Sequence, residues 1–444
     1  MITCEKIRAV SAHGEAWLAR EYRPTGPLVF YKKAYVEYKP LGVLGVIAPW
    51  NYPFHNVYNH IVSGIFSGNA VVSKVSEYTC WSSRYFTAIM SEVLRACGHN
   101  PDLCLTVTGF GDAGAALVAS PGVDKIIFTG SPEVGRKVME GCCKTLKPVV
   151  LELGGKDPFV VCDDVQVDKV MPFIMKGSFF NAGQNCIGVE RVFVYEKVYG
   201  EFVEKVTQQA KKLRQGPVLG EDTIDVGAMV MPAQLDIVQG HVDDAVSKGA
   251  VVTTGGKRNP DYPNGLFYLP TVLAGVTPDM TIAREEVFGP VMTIIKVPGN
   301  SDEKCIDMIH DSRYGLASSV FSGSTSRAVK IGETLRCGMT NINDFGVNYL
   351  VQALPFGGVK DSGYGRFAGP EGLRACCLLK SVTVDRFPSI MSTVVPAPLL
   401  YPVANSGAKF AASMTRMFYH TGLMDKIRGV MDLSMAAMNP KMKS

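Results

Sequence analysis

The sequence predicts an α/β protein with a doubly wound parallel sheet in its first half and a second α/β domain after it. Short apolar runs alternate with helical segments from residue 42 onward, a pattern typical of parallel sheets whose strands are buried on both faces. The chain has 444 residues, 47% of them hydrophobic and 19% charged. That composition suits a large, well-buried globule of about two or three domains.

The composition also excludes several classes of function. A net charge of +4 is too small for a chain of this size to indicate a nucleic-acid partner. The 12 cysteines show no C-x-x-C spacing and no paired Cys/His pattern, so we predict no metal site. Many unpatterned cysteines indicate a reducing compartment, and no apolar run reaches the roughly 20 residues of a membrane span.

The elements are predicted in chain order. A helix at 5–21 ends at a Pro-Thr-Gly-Pro turn, and aromatic and β-branched runs at 28–31 and 34–38 predict a hairpin with little core of its own. Strand-like and helical segments then alternate, which predicts the first α/β half. Its predicted strands are 42–48, 70–74, 103–107 and 125–128, and its predicted helices are 57–67, 82–97 and one after Ser131. The second half has strands at 191–194, 291–297, 318–322 and 381–385, and a helix at 200–215.

Two segments compete as a phosphate-binding turn. Residues 109–114 follow a strand and spell G-x-G-x-x-G, but no clear strand ending in an acidic residue follows about 20 positions on, as the dinucleotide fingerprint requires. Gly130 and Ser131 open a helix whose free N–H groups can face a phosphate, and we prefer this second segment.

The main candidate catalytic residue is Cys186, which follows two aromatic residues and an Asn-Ala-Gly-Gln-Asn stretch. A thiolate is a strong nucleophile near neutral pH if donors stabilise it, although a single cysteine is usually an inert buried thiol. Glu152, in Glu-Leu-Gly-Gly-Lys, offers a candidate base, and Asn51, in Pro-Trp-Asn-Tyr-Pro, offers an amide donor. Together they supply the parts of a nucleophilic site.

These stretches occur in an order that resembles the aldehyde dehydrogenase superfamily, over roughly residues 10 to 387. The ordered series is Pro49-Trp50-Asn51, Lys74-Val75-Ser76-Glu77, Phe128-Thr129-Gly130-Ser131, Glu152 to Lys156, Gly183-Gln184-Asn185-Cys186, Glu285 to Pro290, and Pro355 to Gly363. The resemblance implies an aldehyde dehydrogenase-like α/β fold with a doubly wound cofactor domain, an α/β catalytic domain and a β oligomerisation ribbon. The implied division is 1–21 with 41–152 (NAD-binding), 153–367 (catalytic), 22–40 with 373–387 (ribbon) and 388–444 (C-terminal extension).

The resemblance also implies the chemistry. Cys186 would attack a small-molecule aldehyde, the Asn51 amide and the Cys186 backbone N–H would stabilise the oxyanion, and Glu152 would activate the water that hydrolyses the thioester. The implied activity is NAD-dependent and non-acylating, since relatives that pass the acyl group to coenzyme A usually lack this glutamate. A catalytically impaired oligomer with a structural or binding role is the alternative.

Further roles are carried over residue by residue. Lys74 and Glu77 would contact the adenosine ribose. The Glu77 carboxylate would repel the 2′-phosphate of NADP and so favour NAD. Val75, between them, stands where the family usually has proline. Lys156 is either a modulator of the site's pKa values or a surface lysine. The other implied cofactor contacts are Trp50, Gly130, Ser131, Glu286 and Phe288, and the implied substrate funnel is Tyr52, Phe180 and Phe356.

The two ends depart from the family's pattern. Most of its opening segment is absent, and the extension after Phe387 is long, Pro-rich and then Met-rich and weakly amphipathic. This resembles a fungal and plant branch with an N-terminal membrane segment. We therefore expect a cytoplasmic protein as the sequence stands, or one at the endoplasmic reticulum if an anchor precedes it. The tail is expected either to cap the body or to touch a membrane weakly, and the ribbon predicts a homodimer or a dimer of dimers.

Overall fold

The structure, a computed structural model, describes residues 1–220 and 223–438. It has two compact units: a main unit of Met1–Leu18 and Lys39–Leu378, and a smaller unit of Ala19–Tyr38 and the chain from Leu379 onward. The last six residues of the predicted C-terminal extension lie outside the described residues.

The elements alternate as the sequence predicts. The strands are β1 (Glu21–Arg23), β2 (Lys32–Pro40), β3 (Val43–Ile47), β4 (Ala70–Lys74), β5 (Cys104–Val107), β6 (Lys125–Gly130), β7 (Val149–Leu153), β8 (Pro158–Val161), β9 (Arg191–Tyr195), β10 (Val251–Thr254), β11 (Thr271–Ala274), β12 (Val291–Val297), β13 (Ala317–Phe321), β14 (Met339–Ile342), β15 (Gly363–Tyr364) and β16 (Cys377–Asp385). The helices are α1 (Ile2–Trp17), α2 (Pro53–Phe66), α3 (Cys80–Ala96), α4 (Gly111–Ala119), α5 (Pro132–Cys143), α6 (Val167–Phe179), α7 (Glu196–Ala210), α8 (Pro232–Ser247), α9 (Thr281–Arg284), α10 (Asp302–His310), α11 (Thr325–Thr334), α12 (Val347–Leu350), α13 (Gly369–Arg374), α14 (Gly407–Tyr419) and α15 (Leu423–Met438).

The first half of the main unit forms a six-stranded sheet in the order β15-β7-β6-β3-β4-β5. The central strands are parallel, and β15 runs antiparallel to β7. This confirms the predicted doubly wound sheet. Because the carboxyl ends of parallel strands meet at one edge, Asn51 after β3, Gly130 at the end of β6 and Glu152 near the end of β7 come to the same edge. The register pairs Thr129 with Glu152.

The second half forms a seven-stranded sheet in the order β10-β11-β12-β9-β8-β13-β14. The strands are parallel except for β10, which is antiparallel to β11. Its centre is fully buried: Phe159 on β8 stacks on Phe321 of β13 with ring centroids 4.7 Å apart. Cys186, the predicted nucleophile, lies in the segment just before β9, so this buried sheet anchors the end of its loop.

Several predicted boundaries are wrong. The first helix begins at Ile2 and ends at Trp17, and residues 28–31 are not a strand, because Pro27–Val29 forms a 3₁₀ turn. The antiparallel partner of β2 is instead β1, with Tyr22 opposite Tyr35. Helix α2 starts at Pro53, where proline suits the first helical turn, and α7 runs over Glu196–Ala210, four to five residues before the predicted 200–215.

The smaller unit contains the sheet β1-β2-β16 and the helices α14 and α15. Lys32 and Asp385 form an ion pair at 2.5 Å between β2 and β16, so the predicted strand at 381–385 is the outer part of β16. The Met-rich region forms two helices that pack on each other. Among the described residues, no helix combines the length and apolar character needed to cross a bilayer.

The stacked rings of the seven-stranded sheet provide a test of its core. Phe159→Ala should lower the free energy of unfolding by about 3–5 kcal/mol, because it leaves a cavity beneath Phe321. Urea titration of both proteins measures it. Trp81→Ala, at a side chain that is 83% exposed, is the control, and equal midpoints for Phe159→Ala and wild type would contradict this packing.

Candidate active site

A cavity of about 540 Å³ lies at the strand-end edge of the six-stranded sheet. One wall is the start of α5, another is the segment around Glu286, and the face of α8 closes a third side. Eight of the residues predicted from sequence line it: Trp50, Asn51, Gly130, Ser131, Glu152, Cys186, Glu286 and Phe288. The structure therefore brings the predicted nucleophile, base and amide donor together.

The other five predicted residues do not line this cavity. Lys74 is the last residue of β4 and Glu77 follows three residues later, with Nζ and Oε2 3.6 Å apart. Phe356 is buried against Tyr349, with ring centroids 4.2 Å apart. Tyr52 is half-buried and Phe180 is 54% exposed.

The loop that carries Cys186 is held by a buried glutamine. Gln184 donates from Nε2 to the carbonyl of Asn181 at 3.0 Å, and its Oε1 accepts the N–H of Val230 at 2.8 Å. Asn181 and Ala182 both adopt left-handed backbone angles, with φ +54°, which is costly away from glycine. We infer that the Gln184 side chain stabilises this turn and so fixes the position of Cys186.

Gly183 is required by the same loop. Its φ is +70°, and a Cβ added there would lie 2.0 Å from the carbonyl oxygen of Gly289. No side chain fits in that gap. The loop before Cys186 therefore packs directly on the backbone that follows Phe288, which ties two walls of the cavity together.

Burial raises the pKa values of Cys186, the predicted nucleophile, and of Glu152, the predicted base. Burial, followed by the nearby Glu152 carboxylate, holds the pKa of the Cys186 thiol well above its usual range. Burial also raises the pKa of Glu152 to about 7, although interactions with Cys186 and Thr129 partly offset it. Oε1 of Glu152 is buried without a hydrogen-bond partner among the described residues. A carboxyl group with a pKa near 7 is suited to take up and release protons at neutral pH.

Asn51 is anchored next to this pair. Its Nδ2 donates to the carbonyl of Gln184 at 3.3 Å, its Oδ1 accepts from Nδ2 of Asn56 at 3.0 Å, and its own carbonyl accepts from Asn181 at 3.1 Å. A side-chain amide carries two N–H donors, so an oriented Asn51 can direct one of them into the cavity.

Two further acidic groups surround the site. Glu286 accepts the N–H of Gly155 at 3.0 Å, and burial raises its pKa to about 8. A Cβ on Gly154 would lie 2.2 Å from this carboxylate, so only glycine fits at position 154.

Lys156 is buried, and its Nζ lies 2.7 Å from Oε2 of Glu190. The interpretation of Lys156 as a surface lysine is therefore wrong.

The N-terminus of helix α5, which was predicted to face a phosphate, forms one wall of the cavity. Ser131 is its N-cap and accepts the N–H of Val134 at 3.4 Å, and Pro132 occupies the first turn. The competing segment 109–114 leads into α4 and does not line the cavity. The structure thus supports the preference for Gly130 and Ser131.

Some cavity residues were missed from the sequence. Gln234, Ile237 and His241 share one face of α8, and their spacing of three and four residues could have indicated it. Arg313 also lines the cavity and pairs with Glu285 at 2.6 Å and with Asp361 at 2.9 Å. No local sequence signal indicates that pairing.

The chain is similar to known proteins of one family. The profile of the aldehyde dehydrogenase family matches residues 3–382. The chain belongs to the aldehyde dehydrogenase family. It is 40% identical over 408 residues to an aldehyde dehydrogenase-like protein of Schizosaccharomyces pombe, covering 91% of this chain and 77% of that protein. It is 39% identical over 454 residues to an aldehyde dehydrogenase-like protein of Saccharomyces cerevisiae, covering 98% of this chain and 70% of that protein.

Solved structures of the family share the fold. The crystal structure of a Mycobacterium tuberculosis aldehyde dehydrogenase complexed with NAD⁺ superposes with a TM-score of 0.81 and 32% identity, covering 89% of this chain and 78% of that one. The α/β architecture expected for an aldehyde dehydrogenase is therefore confirmed.

The buried Glu152 predicts a pH-dependent effect on stability. Its pKa is about 7 when folded against a usual 4.5, so the folded state favours the protonated acid, and wild type loses stability as pH rises from 4.5 through 7. Glu152→Gln should therefore raise the free energy of unfolding relative to wild type at about pH 8, and the gain should shrink towards pH 4.5. Urea titrations across this range measure it, with the exposed Glu140→Gln as the baseline. A gain that does not change with pH would contradict the raised pKa.

Proposed function

We propose that this chain oxidises an aldehyde to a carboxylic acid, with NAD as the hydride acceptor. The observation that carries the proposal is that Cys186 and Glu152, a thiol and a carboxyl group of raised pKa, line one cavity together with Asn51. A nucleophile, a base and an oriented amide donor in one cavity are the parts that acyl chemistry needs.

The residues present fit a dinucleotide. A cavity of about 540 Å³ lies within the range of small-molecule sites, and the free N–H groups at the start of α5, a helix of 12 residues, are suited to a pyrophosphate. Gly130, Ser131 and Trp50 would hold that part, and Glu286 and Phe288 would face the nicotinamide ribose. When bound, NAD supplies the acceptor for the hydride that leaves the aldehyde carbon.

Activation of the nucleophile requires that the Cys186 thiol lose its proton. The Cys186 thiol stays protonated in the resting site, because burial and the carboxylate beside it raise its pKa. Glu152, with a pKa of about 7, is substantially ionised at neutral pH and can accept the thiol proton. The thiolate sulfur then bonds to the aldehyde carbon and the carbonyl electron pair moves to oxygen, giving a thiohemiacetal.

The negative oxygen requires donors fixed in advance. Asn51, held by Gln184 and Asn56, offers its second amide N–H, and the backbone N–H of Cys186 is the other proposed donor. Because both groups are positioned by the folded loop, they need no reorganisation when charge develops.

Hydrolysis returns the enzyme to its starting state. After releasing the thiol's proton to solvent, Glu152 takes a proton from water and the water oxygen attacks the thioester carbon. The carbon–sulfur bond then breaks to release the acid, and Glu152 returns its proton to the Cys186 thiolate. The buried Oε1 of Glu152 that lacks a hydrogen-bond partner among the described residues is the natural acceptor for that proton.

Selection of NAD over NADP is proposed to depend on Glu77. Its carboxylate, 3.6 Å from the Lys74 ammonium, would hydrogen-bond a ribose 2′-OH and repel a 2′-phosphate. The NAD⁺ complex of the Mycobacterium tuberculosis relative supports the same choice.

The substrate-binding residues are also part of this proposal. Tyr52, Phe180 and Phe356 would form an aromatic funnel, and such walls favour apolar or aromatic aldehydes. The alternative of a catalytically impaired oligomer has less support, since Cys186, Glu152 and Asn51 are all retained. A homodimer or a dimer of dimers, and a weak membrane contact of the tail, remain predictions.

Replacement of the nucleophile tests the proposal. Cys186→Ala should abolish NADH release from aliphatic, aromatic and semialdehyde substrates while NAD still binds, because the cofactor contacts are made by other residues. Absorbance of NADH measures turnover, and calorimetry measures NAD binding. The exposed Cys97→Ala is the matched control and should keep wild-type rates. Turnover that survives in Cys186→Ala would refute the assignment of the nucleophile.

A further inference from the structure

Glu190 lies four residues after Cys186 and is 5% exposed. Its carboxylate has three donors. Oε2 accepts from Nζ of Lys156 at 2.7 Å and from the backbone N–H of Val287 at 3.1 Å, and Oε1 accepts from the backbone N–H of Phe288 at 3.0 Å. A buried carboxylate with this many partners is fully compensated, and it fixes each group that it touches.

The segment that Glu190 holds needs support. Phe288 has φ +49°, a left-handed conformation that is uncommon and strained for a bulky residue. Its ring packs edge-to-face on Trp50 with centroids 5.6 Å apart, and both residues line the cavity. Such strain persists only where surrounding contacts determine the conformation, and the two hydrogen bonds from Val287 and Phe288 to Glu190 are such contacts.

The carboxyl group of Glu286 makes a second link, from segment 285–288 back to segment 154–157. Glu286 accepts the N–H of Gly155 at 3.0 Å, and a Cβ on Gly155 would lie 2.7 Å from the carbonyl oxygen of Cys186. The segments 154–157, 186–191 and 285–288 are thus joined by two carboxyl groups, that of the buried Glu190 and that of the half-buried Glu286. Glu190 is the member that connects the nucleophile's segment to the proposed cofactor segment.

We propose that Glu190 is a positioning residue for the cofactor, holding the amides of Val287 and Phe288 so that Glu286 and Phe288 face the nicotinamide ribose. This inference rests on the proposed function. Lys156 acts through Glu190, as the counter-ion that allows the carboxylate to remain charged while buried.

The role requires a carboxylate. Two backbone N–H groups point at two different oxygens of Glu190, whereas a glutamine has one carbonyl oxygen and an NH₂ group that cannot accept. Glu190→Gln therefore leaves one of the two amides without an acceptor. The single variant would also leave Lys156 buried and unpaired, which endangers folding.

The test compares Lys156→Met with Lys156→Met/Glu190→Gln, so that the two proteins differ only in the carboxylate. In Lys156→Met the carboxyl group of Glu190 loses its counter-ion and takes up a proton more readily, but both of its oxygens can still accept the backbone N–H groups of Val287 and Phe288. In the double variant NAD should bind about tenfold more weakly than in Lys156→Met, the scale expected for one lost buried hydrogen bond. Calorimetry with NAD measures binding, and thermal unfolding checks that both variants fold.

Hydrogen–deuterium exchange gives a readout that needs neither NAD nor turnover. The amides of Val287 and Phe288 should exchange faster in the double variant than in Lys156→Met, while the strands of the seven-stranded sheet keep their rates. Equal NAD affinity in the two variants, or faster exchange spread over the whole sheet, would overturn the positioning role.

The outcomes separate this inference from the proposed function. A wild-type chain that binds NAD but releases no NADH would refute the enzymatic proposal, while the contrast between the variants would still decide the role of Glu190. A wild-type chain that does not bind NAD would overturn both.

Discussion

The arrangement of the site depends on the cost of burying several carboxyl groups around one thiol. An unpaired buried carboxylate is very unfavourable in free energy, and the three glutamates meet this cost differently. Glu190 is paired with Lys156 and two backbone amides. Glu286 has one amide partner and a pKa of about 8, so it favours the protonated form at neutral pH. Glu152, with a pKa of about 7 and one oxygen without a partner among the described residues, is the group left to exchange protons.

The same burial constrains the backbone. Carboxylates can be compensated by amides only if the chain approaches closely, and Gly154 and Gly183 lie where a Cβ would collide with Glu286 or with the carbonyl of Gly289. The glycines of these motifs are therefore explained by contacts between segments more than by local turns. The two parallel sheets supply the rigid ends from which these segments leave.

The sequence predicted the parallel strands well, because their apolar runs are short and continuous: 70–74 is β4 to the residue, and 191–194 differs from β9 by one position. It failed at β1, where Glu21-Tyr22-Arg23 has no apolar pattern and becomes a strand only by pairing with β2. At the site, Cys186, Glu152 and Asn51 were predicted from motifs and come together. The burial of Lys156 and the contacts of Glu190 could not be predicted from local sequence. Lys156 pairs with Glu190, 34 residues along the chain, and Glu190 accepts from backbone amides 97 and 98 residues further on.

The most direct measurement of the central claim is mass spectrometry of the acid-quenched protein after incubation with NAD and an aldehyde. In Glu152→Gln both steps lose this base, but a thiol gives up its proton far more readily than water does, so hydrolysis of the thioester should be slowed more than its formation. The account predicts an acyl adduct on the peptide that contains Cys186 and on none of the other 11 cysteines of the 12. NADH release with the adduct on another cysteine would contradict the account, as would release with no adduct at all.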